Sequence, residues 1–307
     1  MLHTSRMGEW FQVIVPNHWQ GKTIESLFRD LWEVPKKLTH TYRMEKKVRI
    51  DGEAANWGTP LAAGAKLQLR LFEAEETHIT PHFQELEILF EDDHVLVLNK
   101  PPFINTHPND PKQETNTLVN GACFHLLSQG EIRDIRQIHR LDRDTSGAIL
   151  FAKHAMAGAI LDRALVERKI KRTYLALVDG ILKQKRGTIQ AAIGRDRHHP
   201  TRRRVSPTGQ AATTHYSVVM EDKQEKLSYV KCWLDTGRTH QIRVHFSHIG
   251  HPLLGDTLYG GKPVVHRQAL HAAKLEFTHP FTEEKIVCHA PFKDEPDIFK
   301  NIDLLTI

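Results

Sequence analysis

The chain is predicted to fold as an α/β protein of the α+β type, with a mixed or mainly antiparallel sheet and flanking helices. Helical and strand-type apolar patterns interleave along the 307 residues without a regular strand–helix–strand repeat. The turn signals between strand-like runs are short, as between antiparallel neighbours. Apolar residues make up 40% of the chain and charged residues 26%, a globular balance. The length exceeds that of a typical single domain, so one large domain or two unequal ones are expected.

Residues 1–72 read as a small α/β unit. Ile24, Leu27, Phe28 and Leu31 recur at helical spacing, and 36–49 carries six Lys or Arg residues against the single acid Glu45. Val48-Arg49-Ile50 then alternates into the turn signal Asp51-Gly52. Residues 73–82 (EAEETHITPH) are polar, acidic and contain Pro81, which predicts a linker. The boundary is placed near residue 80, dividing the chain into 1–80, linker included, and 83–307.

Beyond it, 86–90 and 95–98 read as strands joined through Asp92-Asp93. Thr115 or Asn116 is expected to cap a helix carrying Leu118, Val119, Ala122 and Leu126. Residues 148–151, 174–178 and 228–234 are strand-like. The alanine-rich 153–169 places Met156, Ile160 and Ala164 at helical steps. A helix over 239–249 would bury Ile242, Phe246 and Ile249 and stop at Gly250.

No run of 18 apolar residues is present, which excludes a spanning helix, and residues 1–6 lack the apolar core of a secretory signal. Cys123, Cys232 and Cys288 are odd in number and widely spaced, suiting a reducing cytoplasm rather than a disulfide framework. Lys and Arg total 42 against 37 Asp and Glu, for a net charge of +5 and an isoelectric point near 9.0. Phosphate-binding loops, dinucleotide fingerprints, nucleophile elbows and HExxH helices are absent from the sequence. His245, His248 and His251 invite a metal reading, but His251 falls past the helix stop. Asp256 is the one nearby carboxylate.

The strongest constellation is 139–147, His-Arg-Leu-Asp-Arg-Asp-Thr-Ser-Gly, just before an apolar strand. A carboxylate between arginines on a polar loop can be oriented by charge-assisted hydrogen bonds for catalysis; equally, Asp142 or Asp144 could simply cap the turn. An acid/base pair of Asp142 and Asp144 is the weaker alternative, since their separation on a loop is not fixed.

Taken with three further ordered blocks, this motif resembles the RluA-like family of RNA pseudouridine synthases. The blocks are 91–108 (Glu-Asp-Asp-His through Asn-Lys-Pro-Pro to His-Pro), 172–178 (Arg-Thr-Tyr-Leu-Ala-Leu-Val), and 236–260, which opens Thr-Gly-Arg-Thr-His-Gln-Ile-Arg. Leu270-His271-Ala272 and His279-Pro280 also fit, so the likeness covers about 86–292. It implies a pseudouridine synthase fold with an extended sheet, isomerisation of uridine in ribosomal or transfer RNA, and base flipping. It also implies no metal or organic cofactor; a monomer is the default expectation. By that likeness Asp142 is the catalytic carboxylate, Tyr174 stacks on the target base, and Arg238 pairs with the carboxylate. Arg140 fills the space of the flipped base, and Ile242 and Leu270 wall the uracil pocket. Arg172, with the neighbouring Arg168, Lys169 and Lys171, and the run Arg195, Arg202, Arg203 and Arg204 are expected to meet phosphates. The first 72 residues resemble more faintly a small RNA-binding domain shared with a ribosomal small-subunit protein and tyrosyl-tRNA synthetases. Its usual arginine-leucine-aspartate opening is replaced by Ile24-Glu25-Ser26-Leu27, so the unit is expected to be a degenerate copy. Two rival readings are a catalytically silent RNA-binding or ribosome-assembly factor and a histidine-dependent metalloenzyme.

Overall fold

Alternating burial along short strands builds a first sheet at the N-terminus of the computed structural model, which describes residues 2–110, 113–300, 302–304 and 307. β1 (Thr4–Met7) and β2 (Trp10–Ile14) form a hairpin from which Phe11 and Val13 enter the core. α1 (Ile24–Ser26), opened by reciprocal Thr23–Ser26 hydrogen bonds, runs on through a π-helical turn at Leu27–Leu31. This turn buries Leu27 and Phe28, whereas Leu31 is exposed. The basic α2 (Lys36–Met44) buries only Tyr42. β3 (Val48–Ile50), β4 (Glu53–Ala54) and β5 (Lys66–Arg70) complete the order β1-β2-β5-β3-β4.

The ten-stranded second sheet begins with β6 (Ile88–Glu91) and β7 (Val95–Lys100) and continues after α3 (Leu118–Ser128) with β8 (Arg136–Gln137) and β9 (Ser146–Ala152). After α4 (Ala155–Val166) come β10 (Lys171–Asp179) and β11 (Arg186–Gln190), then a small hairpin of β12 (Ile193–Arg195) and β13 (Arg203–Val205) that forms its own sheet. β14 (Thr213–Asp222), β15 (Leu227–Leu234), α5 (Gln241–His248), β16 (Leu270–Thr278) and β17 (Lys285–His289) follow. The order is β11-β14-β15-β10-β16-β9-β7-β6, with β17 beside β16 and β8 beside β9. Among the described pairings all are antiparallel except β16 with β9, at the centre.

That parallel contact explains the glycine of the Thr-Ser-Gly motif. Gly147 has φ +113°, and a Cβ there would lie 2.3 Å from the Ala272 carbonyl oxygen, so only glycine fits where β16 crosses. The predicted strands are present with shifted ends. The helix expected to be capped by Thr115 or Asn116 is capped by Thr117, whose backbone N donates to Asn120 Oδ1 at 3.1 Å. The helix expected over 153–169 shortens to α4, because His154 Nδ1 accepts from Ala157 N and caps it. Ile249 stands outside the predicted buried stripe, at 36% exposure, because α5 ends at His248. Residues 73–82 form no helix or strand, as a linker should, yet they are pinned down. The amides of His78 and Ile79 donate to the Asp134 carboxylate, and His82 N donates to Asn120 O.

Candidate active site

The 139–147 motif forms the connection that feeds β9. His139 is buried and its Nε2 accepts from Leu150 N at 3.2 Å, which ties the start of the loop to the strand it precedes. Burial pushes the His139 imidazole down to about 3, as an uncharged acceptor requires. Thr106 Oγ1 accepts from Leu141 N and donates to Leu141 O. Beneath the loop, Lys100 Nζ donates to the carbonyls of Pro101, Ile104 and Arg143, and Arg267 Nη1 donates to Asp144 O. Gln268 Nε2 donates to Thr145 Oγ1, so each flank of Asp142 is anchored while its own carboxylate projects into a cleft.

This cleft has a volume of about 1000 Å³, and Asp142, Tyr174, Arg238, Ile242, Arg243 and Leu270 line it. Asp142 Oδ2 accepts from Arg243 Nη1 at 3.1 Å, and His240 Nε2 lies 3.9 Å away. Arg243 is itself fixed: Nε and Nη2 donate to the two oxygens of buried Asp256 at 2.7 and 2.9 Å. Burial opposes the Arg243 charge, but the hydrogen bonds to Asp256 and the nearby Asp142 outweigh it and hold its pKa above the ordinary value. Arg243 also lies over the Tyr259 ring, whose hydroxyl is 2.8 Å from His240 Nδ1. The cleft therefore presents the Asp142 carboxylate oriented by a guanidinium that Asp256 keeps from turning away.

The structure brings most of the predicted residues here and corrects one assignment. Arg238 does not pair with Asp142. It lies in the turn before α5, is exposed, and its Nε donates to Ala211 O at 3.2 Å. The pairing residue is Arg243, on the first turn of α5 and aimed inward by the left-handed His240 (φ +58°) that starts the helix. Sequence reasoning missed Arg243, His240, Asp256 and Tyr259 as site residues. The signal available was Arg243 and Asp256 standing in the same matched block, 13 residues apart.

Tyr174 is buried in one cluster with Leu141, Ile242 and Leu270, giving the cleft an apolar wall. Burial pushes the Tyr174 phenol above its ordinary range, opposed by Arg172. Arg140 is exposed on the cleft, and Arg172 is half-buried beside it. The arginine run does not act as a block. Arg195 pairs with Arg203 across the β12–β13 hairpin, and both line a smaller pocket of about 360 Å³ with Arg238. Arg204 pairs with Gly194, one position out of step, while Arg202 Nε donates to Asp196 at 2.7 Å and is held there. Among the described residues, Arg140, Arg172, Arg195, Arg203, Arg204 and Arg238 form no side-chain ion pair. His245 is buried, with its two nitrogens 2.9 Å from Thr214 Oγ1 and Ala191 O, and so is engaged in packing α5.

With this geometry in view, the likenesses to known proteins are consistent. A family profile described as RNA pseudouridylate synthase matches residues 94–248, and one described as the RluD ribosomal pseudouridine synthase N-terminal domain matches 11–67. The uncharacterized RNA pseudouridine synthase YhcT of Bacillus subtilis is 44% identical over 299 residues, covering 97% of this chain and 98% of that one. Ribosomal large subunit pseudouridine synthase D of Xanthomonas campestris is 33% identical over 300 residues, covering 92% and 89%. The solved human RNA pseudouridylate synthase domain containing 1 superposes with a TM-score of 0.57 at 28% identity, covering 68% of this chain and 84% of that one. A likeness running nearly end to end, on a mixed sheet with one oriented carboxylate at its centre, makes this chain a member of the RNA pseudouridine synthase family, isomerases that convert uridine in RNA to pseudouridine.

Proposed function

We propose that this isomerase acts on large-subunit ribosomal RNA and that Asp142 is the carboxylate that engages the target uridine. The observation that carries the site is the 3.1 Å ion pair of Asp142 with Arg243, set in a cleft with a tyrosine and two aliphatic side chains. The reaction breaks the N1–C1′ bond, turns the uracil and joins C5 to C1′; C5 loses a proton and N1 gains one. No oxidant or reductant is consumed, so the reaction needs no redox cofactor, and the reading includes no metal or organic cofactor. A carboxylate can start this chemistry at C1′ or at the ribose 2′ position, and in both cases it must be held at the sugar. Arg243 holds it. Detached uracil needs walls that keep it in place, which Tyr174, Ile242 and Leu270 supply.

A stacked uridine cannot reach such a cleft, so the target base flips, and exposed Arg140 at the cleft is assigned the space it leaves. Arg172, Arg195, Arg203 and Arg204 are assigned to phosphates, Arg202 to the hairpin. Catalysis belongs to 83–307, and 1–80 is a degenerate RNA-contacting unit. A monomer in the cytoplasm completes the reading. The ribosomal target rests on relatives named for the large subunit.

The test is tritium release from RNA carrying 5-tritiated uridine, prepared from cells lacking this protein. Release is expected from large-subunit ribosomal RNA with wild type and not with Asp142→Asn, which should still bind the RNA. Full turnover by Asp142→Asn overturns the site. Release from transfer RNA alone overturns the substrate, and RNA binding without release by the wild type returns the chain to a silent assembly factor.

A further inference from the structure

At the rim of the catalytic cleft, one tryptophan is displayed rather than buried. Trp19, Trp32 and Trp57 are at most 9% exposed, whereas Trp233 on β15 is 40% exposed. Its indole stacks on the His215 imidazole of β14, with ring centroids 5.5 Å apart and planes 17° from parallel. That imidazole cannot swing. Its Nδ1 lies 2.9 Å from Thr188 Oγ1 on β11 and its Nε2 lies 3.0 Å from Asp235 Oδ2. The strand register puts Thr188, His215, Trp233 and Thr173 in one row across β11, β14, β15 and β10. A second row on the same face holds Arg186, Ser217 and Lys231.

From this we propose that the Trp233–His215 stack is a base-stacking platform for an unpaired nucleotide flanking the target uridine, with Lys231 and Arg186 taking its phosphates. The occupant follows from continuity and charge. Lys231 and Trp233 line both the catalytic cleft and a shallow depression of about 510 Å³ that Arg186, Thr188 and His215 complete. A strand leaving the cleft thus reaches the indole without crossing another element. Among the described residues neither Arg186 nor Lys231 pairs with an acidic side chain; Lys231 Nζ makes one long contact, 3.5 Å to Ile307 O, and the Asp235 carboxylate is occupied by His215 and Arg168. An aromatic face beside cations without acidic side-chain partners recognises single-stranded nucleic acid of tolerant sequence, because every base has a π-face and each link a phosphate. The platform rests on the RNA-modifying reading above and deepens it.

Binding of fluorescein-labelled oligouridylate at low salt, followed by anisotropy, tests it directly. Trp233→Ala is expected to weaken binding about fivefold or more, Trp233→Phe to retain most of the affinity, and Trp233→Leu to behave like alanine. Alanine binding as tightly as wild type, or leucine rescuing as well as phenylalanine, overturns the platform. Where a variant fails to fold by circular dichroism, wild-type protein is photocrosslinked to oligo-5-bromouridylate instead. An adduct on the peptide containing Trp233 supports the platform, and adducts confined to the Asp142 loop overturn it. Tritium release by wild type is scored separately. Turnover with Trp233-independent binding sinks only the platform, and Trp233-dependent binding without turnover on any RNA sinks only the isomerase assignment.

Discussion

Replacing Arg243 by lysine keeps the charge and removes the geometry. The guanidinium makes three charge-assisted hydrogen bonds, two to Asp256 at 2.7 and 2.9 Å and one to Asp142 at 3.1 Å. Lysine is a point donor on a shorter reach and cannot grip one carboxylate bidentately while orienting another. Each charge-assisted bond contributes about 1.5–3 kcal/mol net. The Asp256 side of the bridge is fully enclosed, with that side chain 1% exposed, so its loss falls on stability. If lysine keeps a single bond there, Arg243→Lys lowers unfolding free energy by roughly 1.5–3 kcal/mol. The Asp142 side falls on chemistry. Losing that bond lowers kcat by roughly 10- to 150-fold with little change in RNA affinity, because the carboxylate stays in the cleft but is no longer aimed. The assay is tritium release at saturating RNA, paired with urea denaturation of the same preparation. A lysine variant with wild-type kcat and wild-type midpoint would refute the bridge as the orienting device. Lost kcat with an unchanged midpoint would refute the division of its labour.

Gly147→Ala is expected to cost about 2–6 kcal/mol, combining a φ of +113° with a Cβ 2.3 Å from the Ala272 oxygen, and denaturation at the wild-type midpoint would contradict it. Arg203→Ala should reduce the slope of log affinity for single-stranded RNA against log salt by about 0.7. Arg202→Ala should leave that slope unchanged, since Arg202 is committed to Asp196; equal effects at both positions would contradict the hairpin geometry. Burial holds His94 and His139 to about 3 and His271 to about 4, so all three are neutral in the fold while the unfolded chain protonates them near pH 6.5. Their contribution to stability is complete above about pH 6.5 and is lost as pH falls toward 4, by at most about 4 kcal/mol per pH unit for three protons. A denaturation midpoint independent of pH across that window would refute it.

Much of the catalytic half was legible in the sequence, because its strands are apolar runs between turn residues and its motif loop is locally encoded. Strand limits slipped by one to three residues where register, rather than composition, decides the end. The site was legible as a set of residues and not as a set of contacts. Arg238 and Arg243 stand five residues apart in one motif, and nothing local says which reaches Asp142. The answer depends on a left-handed His240 and on Asp256, which arrives from the next turn of chain to clamp one arginine and leave the other exposed. Likewise the basic run 195–204 reads as a uniform patch. Only pairing across β12 and β13 sorts it into Arg195 and Arg203 on the pocket, Arg204 out of step, and Arg202 bound to Asp196.

The N-terminal unit poses the same problem at larger scale. An acidic, proline-containing stretch such as 73–82 ordinarily joins two bodies loosely, but here the cores meet. Phe11 and Phe72 from the first unit pack against His94, His154 and Phe281 from the second, with Phe11 and Phe281 ring centroids 5.0 Å apart. Around this seam Arg6 donates to Asp93 at 2.6 Å and to Glu131 at 3.0 Å while lying over the Phe72 ring. His94 and His154 share a hydrogen bond of 2.9 Å within the same apolar cage. A contact built from buried aromatics, with ion pairs at its rim, resembles a domain interior more than a hinge. The small sheet is therefore packed against the catalytic half through a continuous apolar seam rather than tethered as a mobile arm.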